Sequence, residues 1–297
     1  MKKLAISLIV LILAGVLLLS GYPTAALAQQ AEAGGSLEYL GKLIFFDPDL
    51  SVNGTQSCAS CHAPEAGWTG PDSLVNLETA VYQGALPHRF GNRKPPTSAY
   101  AGEGPVLYYD EAGEEWFGGM FWDGRATGWT LGDPLSEQAQ GPFLNPLEQA
   151  LANAQVLCVK IKQSDYAGLF EEVWGEKSLD CAKNTEWVYE RVARSVAAYE
   201  RSSEVNPFSS KFDLFWENAI AAGKDVTLIR FPLGSGMGGG GMGGGGSTDP
   251  YRWQNYRGLG LSDDELKGLA AFNDPKRANC ASCHSLEPSA SGYPIFT

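Results

Sequence analysis

An all-α fold is predicted by the recurrence of helical apolar spacing, the scarcity of strand-like alternation, and the Gly- and Pro-rich stretches that punctuate the helical segments. Val188, Val192 and Val196 fall at i, i+4 and i+8 with Tyr199 one step on, which predicts a helix over about Glu186–Ser202. Leu147–Lys162 also reads as helix. Ser262-Asp263-Asp264-Glu265 forms a capping box with acids in the first turn, and Leu266, Leu269 and Ala270 follow as its apolar face. Pro64–Thr69, Pro87–Pro96 and Ala101–Pro105 read as loops. The 297 residues suffice for two domains of common size, and the 44% hydrophobic fraction is that of an ordinary globular protein.

The first 28 residues read as a secretory leader. Lys2 and Lys3 form its basic start, Ala5–Leu19 its apolar stretch, and Ala26-Leu27-Ala28 a small-x-small cleavage site, so the mature chain starts at Gln29. An uncleaved anchor is the alternative, but the apolar stretch is short for a span of about 20 residues. The chain carries 22 Lys+Arg against 34 Asp+Glu, a net charge of −12, and loss of the two leader lysines makes it more negative still. Such a surface argues against nucleic acid or anionic lipid as partners and suits a small basic electron donor as well as simple solubility.

Cys58-Ala59-Ser60-Cys61-His62 recurs almost unchanged as Cys280-Ala281-Ser282-Cys283-His284. A C-x-x-C-H run is the attachment signature of c-type haem: each cysteine sulfur adds to a vinyl group and the histidine ligates the iron. Structural zinc pairs usually lie closer together, and a redox C-x-x-C normally sits beside a βαβ pattern that is not seen here. Two copies predict two covalently bound haem c groups in two cytochrome c-like domains, 29–205 and 206–297, with haems near the domain interface. Gly234–Ser247, nearly all glycine, reads as a flexible insertion in the second domain, and Met237 or Met242 as an iron ligand would lose much ordering entropy there. Cys158 and Cys181 remain, either as a disulfide formed in an oxidising compartment or as two buried thiols.

With two such motifs in an exported chain, other segments become legible. Leu40-Gly41-Lys42-Leu43-Ile44-Phe45-Phe46-Asp47-Pro48, the run Ser57 to His62, Phe121-Trp122-Asp123-Gly124-Arg125-Ala126, Gln138-Ala139-Gln140-Gly141-Pro142 and Asn145-Pro146-Leu147-Glu148 together resemble the bacterial di-haem cytochrome c peroxidases, which include the MauG-type maturation enzymes. The resemblance implies a peroxidatic first haem and an electron-transfer second haem, with His62 and His284 as proximal ligands held beside Cys58, Cys61, Cys280 and Cys283. It places Trp122 between the haems, and Gln138 and Glu148 on the peroxide side of the first. A carboxyl in a dry pocket suits proton transfer between peroxide oxygens, and a neutral amide suits orienting the substrate. Outside the resemblance, Glu148 after Asn145-Pro146 reads as an exposed first-turn helix acid, and Trp122 as a core aromatic.

His88 precedes Arg93-Lys94-Pro95-Pro96, as a distal histidine precedes an Arg-x-x-Pro run in the peroxidases. The resemblance allows it to cap the first haem in the resting oxidised form; otherwise it is a surface loop residue. Lys94 stands where the family has an asparagine that helps hold an inter-haem calcium, and an ammonium group cannot ligate Ca²⁺, so calcium stays open. Thirteen residues follow His284 and offer no second axial ligand, so the chain reads as a C-terminally truncated member. The expected activity is periplasmic reduction of hydrogen peroxide with electrons from a small donor such as a cytochrome c, with a homodimer allowed. The alternatives are a MauG-like oxidase acting on a protein or organic substrate, and a non-catalytic di-haem electron carrier.

Overall fold

The computed structural model describes residues 36–232 and 249–294. The leader and the glycine-rich stretch lie outside the described residues. Eight α-helices run through them: α1 (36–46), α2 (Ser73–Glu78), α3 (Pro134–Leu144), α4 (Ala154–Gln163), α5 (Ala167–Trp174), α6 (Thr185–Glu200), α7 (Lys211–Ala221) and α8 (Asp263–Asn273). One short antiparallel hairpin, β1 (Tyr108–Asp110) and β2 (Glu115–Phe117), departs from the all-helical expectation.

The helix boundaries follow local chemistry. Asp133 accepts from Leu135 N at the start of α3, where Pro134 lacks an N–H that would otherwise go unpaired. Ser210 and Asp213 form a reciprocal capping box on α7, and Ser262 and Glu265 do the same on α8, as the sequence predicts. The helix expected over Leu147–Lys162 is corrected. It begins only at Ala154, where Asn153 caps Val156 N, because Asn145 closes a turn first and Ala150 takes a left-handed conformation with φ of +59°.

Two clusters of buried apolar side chains organise the chain. The first packs α1, α3, α4, α5 and α6, with Val188, Val192 and Val196 of α6 all turned inward as their spacing requires. The second gathers Phe215, Trp216, Trp253, Tyr256 and Leu266 around α7 and α8.

The crossing of α1 and α6 sets the first cluster. A Cβ at Gly41 would lie 1.8 Å from Ser195 O, so only glycine lets the two backbones approach this closely. Beside the crossing, Phe45, Trp68 and Tyr199 meet in edge-on pairs with centroids 5.4–6.0 Å apart. Cys158 of α4 is disulfide-bonded to Cys181, which settles that pair and ties α4 to the loop before α6.

Candidate active site

The two C-x-x-C-H runs fold alike. Cys58–Ser60 and Cys280–Ser282 are single 3-10 turns, and His62 N and His284 N each donate to the carbonyl of their first cysteine, at 2.9 and 2.8 Å. This turn brings two sulfurs and one imidazole together. All four of these cysteines are free of disulfides. His62 Nδ1–H donates to the Trp68 carbonyl at 3.2 Å, since a carbonyl can only accept. That bond fixes the tautomer and leaves Nε2 as the metal-binding nitrogen. Burial also pushes the His62 pKa down, favouring the neutral imidazole a ligand must be. The residues at the first site therefore fit haem c. His284 lies exposed at the second.

Trp68 has φ of +62°, an uncommon conformation for a bulky residue, and this aims its carbonyl at His62. Burial raises the Cys58 thiol far above its usual range and Cys61 to about 11. The negative charge of Glu148 adds to both, and that of Glu200 adds to Cys58, so these carboxyls stand close to the first motif.

Glu148 sits half-buried in the tight turn after α3, and is not a first-turn helix acid. Asn145 builds the turn: its carbonyl accepts from Glu148 N and Ala150 N, and its Nδ2 donates to Glu148 Oε1 at 2.6 Å. A neighbouring loop closes over it, with Ala85 N donating to Glu148 O at 2.8 Å. Burial raises the Glu148 pKa, against smaller lowering effects of Asn145 and the Arg125 charge. Gln138, also half-buried, shares the side of α3 that carries Gly141 and Asn145, at i, i+3 and i+7. The Phe121 ring stands 3.6 Å from where a Gly141 Cβ would lie, in ordinary contact, and the Arg125 guanidinium lies 3.5 Å from the Phe121 centroid.

The Phe-Trp-Asp-Gly-Arg and Arg-x-x-Pro runs meet through Asp123, which accepts from Arg125 at 2.7 Å and from Arg93 at 3.1 Å. Hydrogen bonding from Arg125 first, with Arg93, holds the Asp123 carboxyl down at about 2. Sequence reasoning quoted both runs without seeing this join. Trp122, next to it, stands 96% exposed, which excludes the reading of it as a core aromatic. His88 and Lys94 are exposed, His88 on the turn of the same loop that covers Glu148. Sequence reasoning also missed Trp68, whose signal is conformational, and Glu200, whose signal is burial.

Two c-type attachment turns, the first mounted on a helix crossing and faced by a half-buried carboxyl, define the class as multi-haem c-type proteins. The chain belongs to the di-haem cytochrome c peroxidase family, whose model matches residues 36–220. It is 37% identical over 194 residues to the methylamine utilization protein MauG of Paracoccus denitrificans, covering 64% of this chain and 47% of that protein. It is 30% identical over 199 residues to the cytochrome c551 peroxidase of Nitrosomonas europaea, covering 67% of this chain and 48% of that protein. The crystal structure of the diheme peroxidase BthA from Burkholderia thailandensis is similar with a TM-score of 0.62 and 29% identity, covering 88% of this chain and 52% of that one. The chain thus spans about half the length of these relatives. Membership implies haem c as the cofactor.

Proposed function

We propose that this protein is a periplasmic di-haem peroxidase that reduces hydrogen peroxide to water with electrons from a small cytochrome c-like donor. The observation that carries the reading is Glu148: a desolvated carboxyl with a raised pKa, fixed by Asn145, close to the first attachment cysteines. Similarity to cytochrome c551 peroxidases supports the same reading.

Reducing one hydrogen peroxide to two waters takes two electrons and two protons. Haems attached at Cys58/Cys61 and Cys280/Cys283, with iron on His62 and His284, supply the redox chemistry when bound. Glu148, ionised, accepts a proton from one peroxide oxygen and, protonated, returns it to the departing one. Asn145 holds the carboxyl in one rotamer throughout. The Gln138 amide orients the peroxide without adding charge. Burial keeps His62 neutral, and its Nδ1–H bond to the Trp68 carbonyl holds the ring with Nε2 available to a metal. Trp122, in the segment anchored by Asp123 to Arg93 and Arg125, carries electrons between the two sites. In this reading two cytochrome c-like domains, 29–205 and 206–297, each hold one haem.

Steady-state oxidation of a reduced small cytochrome c by hydrogen peroxide tests this proposal. Turnover at the rate of free haem would sink it. The similarity to MauG favours a second reading, peroxide-driven oxidation of a protein or organic substrate by the same carboxyl and haem pair. Product formation from such a substrate in the absence of a cytochrome donor distinguishes the two.

A further inference from the structure

A second carboxyl near the first motif has no part in the mechanism above. Glu200 is the last residue of α6 and is 4% exposed. Its Oε2 has no hydrogen-bond partner. A buried carboxyl left unpaired is costly when ionised, so it is held where the surrounding structure over-determines it. The C-terminal end of α6 is clamped: Asn206 Nδ2 donates to Glu200 O at 2.6 Å, and Asn206 Oδ1 accepts from Tyr100 N.

Two features connect this carboxyl to the first haem site. Its charge reaches the Cys58 sulfur. The Ser98 hydroxyl approaches it and favours the ionised form. The Ser98 N–H, in turn, donates at 3.0 Å to the Trp68 carbonyl, the same oxygen that receives His62 Nδ1–H. Glu200 therefore acts both through space and through the partner of the proximal ligand. The other charges facing it are Arg201, which favours ionisation, and Asp133, which opposes it; these two pair with each other at 2.7 Å. Arg201, the next residue, is exposed.

We propose that Glu200 is the redox-linked proton site of the first haem, taking up a solvent proton when that haem gains an electron and releasing it on oxidation. The electron comes from the reductant of the proposed function, on whose haem assignment this inference rests. Burial raises the Glu200 pKa to about 7, so the group titrates in the working range of the protein. The oxidised site carries one more positive charge than the reduced site, which stabilises the carboxylate. Over the pH interval between its pKa values in the two states, the reduction potential of the first haem falls as pH rises. Glu200 is a positioning residue in this account and touches no substrate.

The test is a redox titration of the holoprotein across neutral pH without peroxide, so its outcome is independent of peroxidase activity. The first haem is the one whose spectrum changes in His62→Met. The wild type should show a potential that falls through neutrality, and Glu200→Gln should lose that slope while keeping both haems. Glu200→Asp should restore a slope in a shifted pH range. A pH-independent potential in the wild type, or an unchanged slope in Glu200→Gln, overturns the proposal. If Glu200→Gln fails to load haem, the reduced-minus-oxidised infrared spectrum of the wild type and Glu200→Asp decides. A carboxylic-acid band that appears on reduction and moves in the aspartate variant supports the proposal, and its absence from the wild type refutes it.

Discussion

Glu148→Gln separates chemistry from structure. The glutamine keeps the volume of the side chain and an oxygen for Asn145 Nδ2, now 2.6 Å away, but cannot accept and return a proton. A general acid–base group contributes about 10²–10⁴-fold to rate, or roughly 3–5 kcal/mol of barrier. Turnover with hydrogen peroxide and a reduced donor should fall by that factor, with both haem spectra retained. The pH dependence follows from burial. The base must be ionised and its pKa is raised, so wild-type kcat/KM should climb with pH above the ordinary Glu range near about 4.3. Stability should move the other way. A carboxyl whose folded pKa lies above its unfolded one favours the fold at low pH and loses that contribution as pH rises through the folded value. At neutral pH the glutamine variant should therefore be as stable as the wild type or more so. A loss of turnover below about tenfold, or a large drop in Tm with activity intact, would show that Glu148 only shapes its turn.

Four further outcomes are expected. Denatured holoprotein should show a mass increment of two haems that resists acid-acetone extraction; one haem would contradict the paired motifs. His88→Gly suits its turn, because His88 already holds φ of +63°; if His88 caps the first haem when oxidised, the variant should turn that haem from low- to high-spin and abolish reductive activation, and an unchanged spin state would leave His88 a loop residue. Gly41→Ala should gain about 1 kcal/mol of helix propensity yet lose more to the clash with Ser195 O at 1.8 Å, lowering Tm overall. Removal of the Cys158–Cys181 disulfide should lower Tm without loss of haem.

Much of the helical frame was legible because its determinants are local. The valines of α6 and the capping boxes of α7 and α8 declare themselves in four to eight residues. The attachment turns were legible for the same reason, since one pentapeptide holds both sulfurs and the imidazole. The segment 147–153 was misread because its apolar content fits a helix, while the competing Asn145 turn and the left-handed Ala150 leave no mark on periodicity. The β1–β2 strands have three residues each, too few for alternation to register. Long-range pairings were invisible: nothing at Arg93 announces Asp123, thirty residues on. Glu200 was hidden because a glutamate in a helix ordinarily faces water, and only the packing of α6 shows that this one does not.

The disulfide connects stability to compartment. Cys158 is fully buried on α4 within the first core, and Cys181 packs against that core from the loop before α6, the helix that carries Tyr199 and Glu200. The bridge closes a loop of 23 residues. On the chain-entropy account a loop of this size stabilises by about 3 kcal/mol, because it restricts the unfolded chain more than the folded one. For a domain of this size that is worth roughly 6–12 °C in Tm. Cys158→Ala/Cys181→Ala should show that loss in denaturant or heat, with both haems still attached, since neither cysteine belongs to an attachment turn. The alanines also remove buried sulfur, so the wild type under reductant is the cleaner control: opening the bridge alone should reproduce most of the shift. Protein made where thiols stay reduced should then be less stable than protein made where the bridge forms. If neither the double variant nor reduction moves the midpoint, the helix packing around α4 holds without the bridge, and the disulfide adds nothing to stability.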